Sequence, residues 1–285
     1  MKRARAAALM ILFASSAGWG DKSFDSGRSA LAQDKKDDKI GKDKAPTVLK
    51  KALAEVQKKK SAAVTESAEL AAGPQKLPPQ KFEGVMRKDF AAVKGAAEIY
   101  ARGDKYLVNL GGRFDPPDEL EGQEGFFAQT YKNPALVLDE LGRNSTPPQF
   151  GPDETVDGKD CKVLDVVPDA ALLKQHLKEF GDRLNRAFKR GPGGGAFGGA
   201  QIFDMKNALD DKNTAASYHV CIGKDDLLVY RIDYVMRPKI KPGALPPQVP
   251  VPQDMAHKLD VHFSKWDEEV PFEIPGVVKN KLGIK

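Results

Sequence analysis

The strongest constraint on this chain is a strict two-residue alternation in its last third. Residues 227–236 (LLVYRIDYVM) put Leu228, Tyr230, Ile232, Tyr234 and Met236 on one side. Residues 256–264 put Leu259, Val261 and Phe263 inward, with Lys258, Asp260 and His262 outward. Residues 214–222 put Tyr218, Val220 and Ile222 on one face, His219 and Cys221 on the other. A period of two means strands covered on one side only. Such strands joined by tight turns build antiparallel sheets. Gly223 to Asp226 supplies one turn. Residues 238–252, with six prolines, supply a stiff, extended connection.

Further strands are expected at 81–89, 96–102 and 105–111, with the Arg102-Gly103-Asp104 break as a hairpin turn. Arg-Gly-Asp is also an adhesion tripeptide, but the turn explains it. Residues 61–70 lean towards a strand, although their alanines keep a helix open. A hairpin over 155–167 turns at Asp157-Gly158. Helical signals interrupt these strands. One helix starts near Pro46, with Leu49, Ala52, Leu53 and Val56 on one face, either docked on the body or lying at a membrane surface. A second spans 134–142, opened by Pro134 and closed by Gly142. A third is capped by Asp169 and carries a stripe of Leu173, Leu177, Phe180, Leu184 and Phe188. A final turn runs from Val277 to Leu282. This arrangement predicts an α+β fold, a curved antiparallel half-barrel sheet covered by helices.

The N-terminus reads as an export signal over residues 1–32. Lys2, Arg3 and Arg5 precede the apolar run Ala6–Ala17, and Ala30-Leu31-Ala32 offers a small-residue cleavage site. An uncut anchor is the alternative reading. The run is too short to span a bilayer comfortably. A charged linker follows at 33–45, its composition too polar to order itself by burial. Residues 46–285 are expected to form a single domain. The whole chain has a net charge of +5, but residues 1–60 account for it. From Ser61 onward, 30 basic residues face 33 acidic ones. That argues against a nucleic-acid surface, and the export signal leads to the expectation of a periplasmic or secreted setting.

In that setting the two cysteines, Cys161 and Cys221, are expected to form a disulfide, with two free buried thiols as the alternative. None of the four histidines stands in a metal-ligand spacing, so no metal and no cofactor is expected. No Gly-x-Ser-x-Gly elbow is present, and the Gly-rich run 191–199 follows a helix and lacks the phosphate-loop lysine. No catalytic residue is assigned, and the chain is expected not to be an enzyme.

The closing segment from Leu259 to Pro275 (LDVHFSKWDEEVPFEIP) and the hairpin Ile222 to Arg231 (IGKDDLLVYR) resemble the bacterial lipoprotein-carrier superfamily of the LolA and LppX type. There a strand ending in Phe-Ser leads through a polar stretch into a Pro-closed apolar segment. The resemblance implies a half-open barrel, plugged by helices, that binds a lipid or acyl chain. On it, Tyr106, Val108, Tyr230, Ile232 and Phe263 are the candidate lining residues. The rival expectation is a structural module of the cell envelope that engages an envelope protein partner through the Lys-rich arm and the Pro-rich loop.

Overall fold

The computed structural model describes residues 40–72, 75–76, 79–95, 97–119, 131–190, 205–244 and 255–284. The signal segment, the linker up to residue 39, the Gly-rich run and residues 245–252 of the Pro-rich connection lie outside them. The described residues begin within the stretch read as linker, and Ile40 there is buried.

The strands are β1 (Ala62–Ala72), β2 (Gln75–Lys76), β3 (Gln80–Arg87), β4 (Phe90–Gly95), β5 (Glu98–Arg102), β6 (Lys105–Leu110) and β7 (Arg113–Asp115). After these come β8 (Gln149–Phe150), β9 (Glu154–Val156), β10 (Lys159–Val166), β11 (Ala215–Gly223), β12 (Val229–Arg237) and β13 (Ala256–Ser264). All 13 belong to one sheet in the order β7-β6-β5-β4-β3-β1-β13-β12-β11-β10-β8, with β2 beside β1 and β9 beside β10. Every pairing is antiparallel. The sheet is open, ending at β7 and β8. The helices are α1 (Ala45–Lys58), α2 (Pro134–Arg143), α3 (Ala170–Arg190), α4 (Met205–Ala208) and α5 (Gly276–Leu282). The fold is α+β, an antiparallel half-barrel sheet covered by helices. No helix among the described residues is long and apolar enough to cross a membrane.

Register explains which face each helix takes. Pairing lines up Phe263, Val64, Gly84, Val93, Ile99 and Val108 across six strands. This face carries the main core, to which α1 gives Val48, Leu49, Ala52 and Val56, α2 gives Val137, Leu138 and Leu141, and α3 gives Leu172, Leu177 and Phe180. The opposite face of β3–β6 lines up Val85, Ala92, Tyr100 and Leu107. Here α5 packs Val278 and Leu282 into a second, smaller core. Strands covered on both faces lose their alternation. That is why β4, with Phe90, Ala91, Ala92 and Val93 all buried, escapes a search for a period of two.

The helix ends follow from local chemistry. Asn133 caps α2, its side chain accepting from the Ala135 amide at 3.1 Å. Asp169 caps α3 through the Leu172 amide at 2.9 Å, and its other oxygen accepts from the Ser145 amide and hydroxyl. One carboxylate thus starts α3 and pins the loop that follows α2.

The expected disulfide is absent. Cys161 and Cys221 are both free and buried. Cys161 pairs with Gly223, while Cys221 pairs with Val163. The two cysteines are therefore diagonal neighbours on adjacent strands, where residues sit about 7–8 Å apart. A disulfide needs Cα atoms roughly 4.4–6.8 Å apart. Burial pushes the Cys161 thiol up to about 11, which keeps it protonated and unreactive at neutral pH. Adding a reductant should leave the thermal midpoint unchanged, and a fall of several degrees under reduction would show a bridge in solution.

Candidate functional site

Two helices frame an open space on the covered face. α1 and α2 approach each other across a cleft of about 970 Å³. Its walls are Leu49, Leu53 and Val56 from α1, Ala135, Leu138 and Leu141 from α2, Met86 from β3, and Trp266 just beyond β13. Trp266 is fixed by stacking on Phe263 at 5.6 Å between ring centroids. The rim is charged, with Lys50, Lys59, Lys88, Asp89, Asp139 and Arg143. Several of these charges are already paired. Lys59 contacts Asp267 at 2.9 Å, Arg143 contacts Asp139 at 2.9 Å, and Arg102 contacts Asp89 at 2.8 Å. Among the described residues Lys50 and Lys88 form no ion pair, so the rim offers two available cations. A cleft with apolar walls, a few polar groups at its edge and a volume in the range of roughly 300–1,000 Å³ is the usual form of a small-molecule site.

Beneath α2 and α3 lies a buried polar network. Glu140, wholly buried, meets the Lys132 ammonium at 2.8 Å and His176 Nε2 at 3.2 Å. The Tyr218 hydroxyl donates to the same carboxylate at 3.2 Å, and the Tyr234 hydroxyl lies 3.0 Å from His176 Nδ1. Burial alone would raise the Glu140 carboxyl, but the His176 hydrogen bond and the Lys132 charge outweigh it and hold it at about 2. Burial, reinforced by the Lys132 charge, pushes His176 below its ordinary value. These directions fit a neutral imidazole that donates from Nε2 to Glu140 and accepts from Tyr234 at Nδ1. Tyr218 and Tyr234 face each other across β11 and β12. The network therefore fastens α2 and α3 to the sheet. The Lys132 amide extends it to β1 by donating to Glu66 at 3.1 Å.

The residues proposed from sequence as ligand lining fall as follows. Register puts Tyr106, Val108, Ile232 and Phe263 on the covered face. Val108, Ile232 and Phe263 are fully buried in the main core, and Tyr106 packs against it. The Tyr106 hydroxyl accepts from the Asn133 amide at 3.3 Å, at the start of α2. Tyr230 is buried in the same core, beside the register shift between Cys221 and Ile222. Its hydroxyl donates to Asp226 at 2.6 Å, and the Lys159 ammonium lies 5.9 Å from its ring. None of the five borders the α1–α2 cleft. Sequence reasoning marked Leu49 and Leu53 as one helical face. It had no signal that α2, some eighty residues further on, would face them.

No family model matches this sequence, and no curated protein matches it. Several solved structures are similar in fold. The lipoprotein LppX of Mycobacterium tuberculosis is 13% identical with a TM-score of 0.38, the match covering 80% of this chain and 99% of that one. LprF of Mycobacterium bovis is 12% identical with a TM-score of 0.36, covering 81% and 96%. A LolA superfamily protein of Nitrosomonas europaea is 10% identical with a TM-score of 0.30, covering 83% and 97%.

Proposed function

We propose that this chain is an exported envelope protein that holds an amphiphile, its apolar body between α1 and α2 and an acidic head near Lys50 and Lys88. The observation that carries this reading is the cleft of about 970 Å³ with aliphatic walls and two lysines free of ion pairs at its rim. An acyl chain there would exchange water for contact with Leu49, Leu53, Leu138 and Met86, at roughly 25 cal/mol per Å² of apolar surface removed from water. The lysines would add selectivity for an anionic head more than affinity, because exposed pairs are worth about 0–1 kcal/mol each. Tyr106, Val108, Ile232 and Phe263 lie behind the helices, so on this reading they back the site and meet the ligand only if α1 and α2 part.

The test fills the cleft. Ala135→Trp in the full chain should weaken binding of a fluorescent fatty acid at least tenfold with little change in thermal midpoint. Lys50→Glu with Lys88→Glu should weaken the fatty acid more than its uncharged alcohol analogue. Unchanged binding in Ala135→Trp would place the ligand elsewhere. Absence of binding in the unaltered chain would end the proposal.

A further inference from the structure

On the face of β10–β13 that carries His219 and Cys221, cross-strand pairing lines up Asp165, His219, Asp233 and Asp260 in one row, and Val163, Cys221, Arg231 and His262 in the next, with Val163 and Cys221 buried. Glu154 joins them from β9, opposite Cys161. Its carboxylate oxygens lie 3.1 Å from His219 Nε2 and 3.8 Å from Cys221 Sγ. One donor atom from each of Glu154, His219 and Cys221 falls within 4.8 Å of the others. The far nitrogen of His219, Nδ1, is held by Asp165 at 2.7 Å.

We infer that Glu154, His219 and Cys221 form a binding site for a borderline divalent transition ion of the zinc type, with Asp165 as its positioning residue. Four features of the geometry carry the inference. A tetrahedral zinc ion with bonds of about 2.0–2.3 Å places its donors about 3.3–3.8 Å apart, and the three donors here, all within 4.8 Å of one another, reach that by a shift of about 1 Å or less. The donor set mixes imidazole nitrogen, carboxylate oxygen and sulfur, which suits zinc and disfavours calcium or magnesium. A carboxylate on the remote imidazole nitrogen fixes the tautomer and aims Nε2, as it does for most metal-bound histidines. All the residues sit on paired strands, which hold the donors rigidly, and the His219 and Glu154 side chains are 29% and 37% exposed, so an ion can enter from solvent.

Three protein donors leave one position for solvent or an added ligand. A plain His219 ion pair with its two carboxylates would involve no sulfur, and this difference decides the test.

The full chain, stripped with chelator, is titrated with Co²⁺, whose thiolate charge-transfer band reports sulfur bound to the metal. The expected result is a one-to-one band that Cys221→Ser abolishes and Cys161→Ser leaves in place. Asp165→Asn should weaken the metal by about 10–100-fold while the band keeps its shape. Zn²⁺ should also displace Co²⁺ and remove the band in the unaltered protein, which reads the site without any substitution. No charge-transfer band in the unaltered protein, a band that survives Cys221→Ser, or a band that Zn²⁺ cannot displace would each overturn the inference.

Discussion

Replacing Glu140 with alanine is expected to destabilise the fold by about 3–5 kcal/mol, the usual cost of removing one partner of a buried ion pair. The substitution strands the Lys132 ammonium, only 4% exposed, with Glu179 at 3.7 Å as its remaining carboxylate. It also takes a partner from His176 and from the Tyr218 hydroxyl. Chemical denaturation at neutral pH measures the loss, and a change under about 1 kcal/mol would mean that the network is not what fastens α2. The same pair of proteins carries a pH signature. Glu140 is held at about 2 against an ordinary 4.5. Its contribution is therefore complete above about pH 4.5 and disappears as pH falls through about 2. His219 and His262 are shifted upward by their carboxylate partners, which is the opposite sense. They are present in both proteins, so they cancel in the difference. The stability gap between the unaltered chain and Glu140→Ala should thus shrink in acid, and a gap that stays constant down to pH 3 would contradict the assignment.

A second large effect is expected at Gly84. A Cβ added there would sit 1.9 Å from the Ala92 carbonyl oxygen and 2.7 Å from the Val93 Cα, both backbone atoms of β4. Gly95 is its counterpart, its added Cβ falling 1.9 Å from the Lys81 carbonyl oxygen of β3. No side chain can swing aside to relieve these contacts, so β3 and β4 must separate or slip. Gly84→Ala should therefore cost about 3 kcal/mol or more, beyond ordinary overpacking. As a comparison, Gly142→Ala, whose added Cβ meets only the Leu53 side chain at 3.5 Å, should be nearly neutral. Equal midpoints for the two variants would show that the β3–β4 approach is looser than described.

The sequence declared its one-sided strands and concealed the two-sided ones. β12 and β13 alternate cleanly because their outer face meets water, whereas β11 does so only up to Val220, since Cys221 on its other face is buried. β4 does not, and the turn before it places Lys88 at a φ of 53° with no glycine or asparagine to announce it. The Asp169 cap was readable in kind, because a polar residue before a helical stripe is a local signal, whereas α2 was read from Pro134 and its Asn133 cap was missed. The disulfide expectation failed on register. Spacing along the chain cannot show that Cys161 and Cys221 are offset by two residues across a ladder. Lys132 looks like a surface residue by type, and only its burial beside Glu140 reveals what it does. The cleft was illegible for a related reason, since it belongs to the relation between α1 and α2 and to neither helix alone. His219 and Cys221 could be placed on one face from alternation. The third donor, Glu154, arrives through the β9–β10 hairpin.

The central claim is that the α1–α2 cleft holds an amphiphile. Native mass spectrometry of the full chain, purified without detergent from a bacterial envelope fraction, tests it most directly. The account predicts a population heavier than the polypeptide by the mass of one acidic acyl lipid, absent in Ala135→Trp. A bare polypeptide mass in the unaltered chain that stays bare after incubation with fatty acid would contradict it.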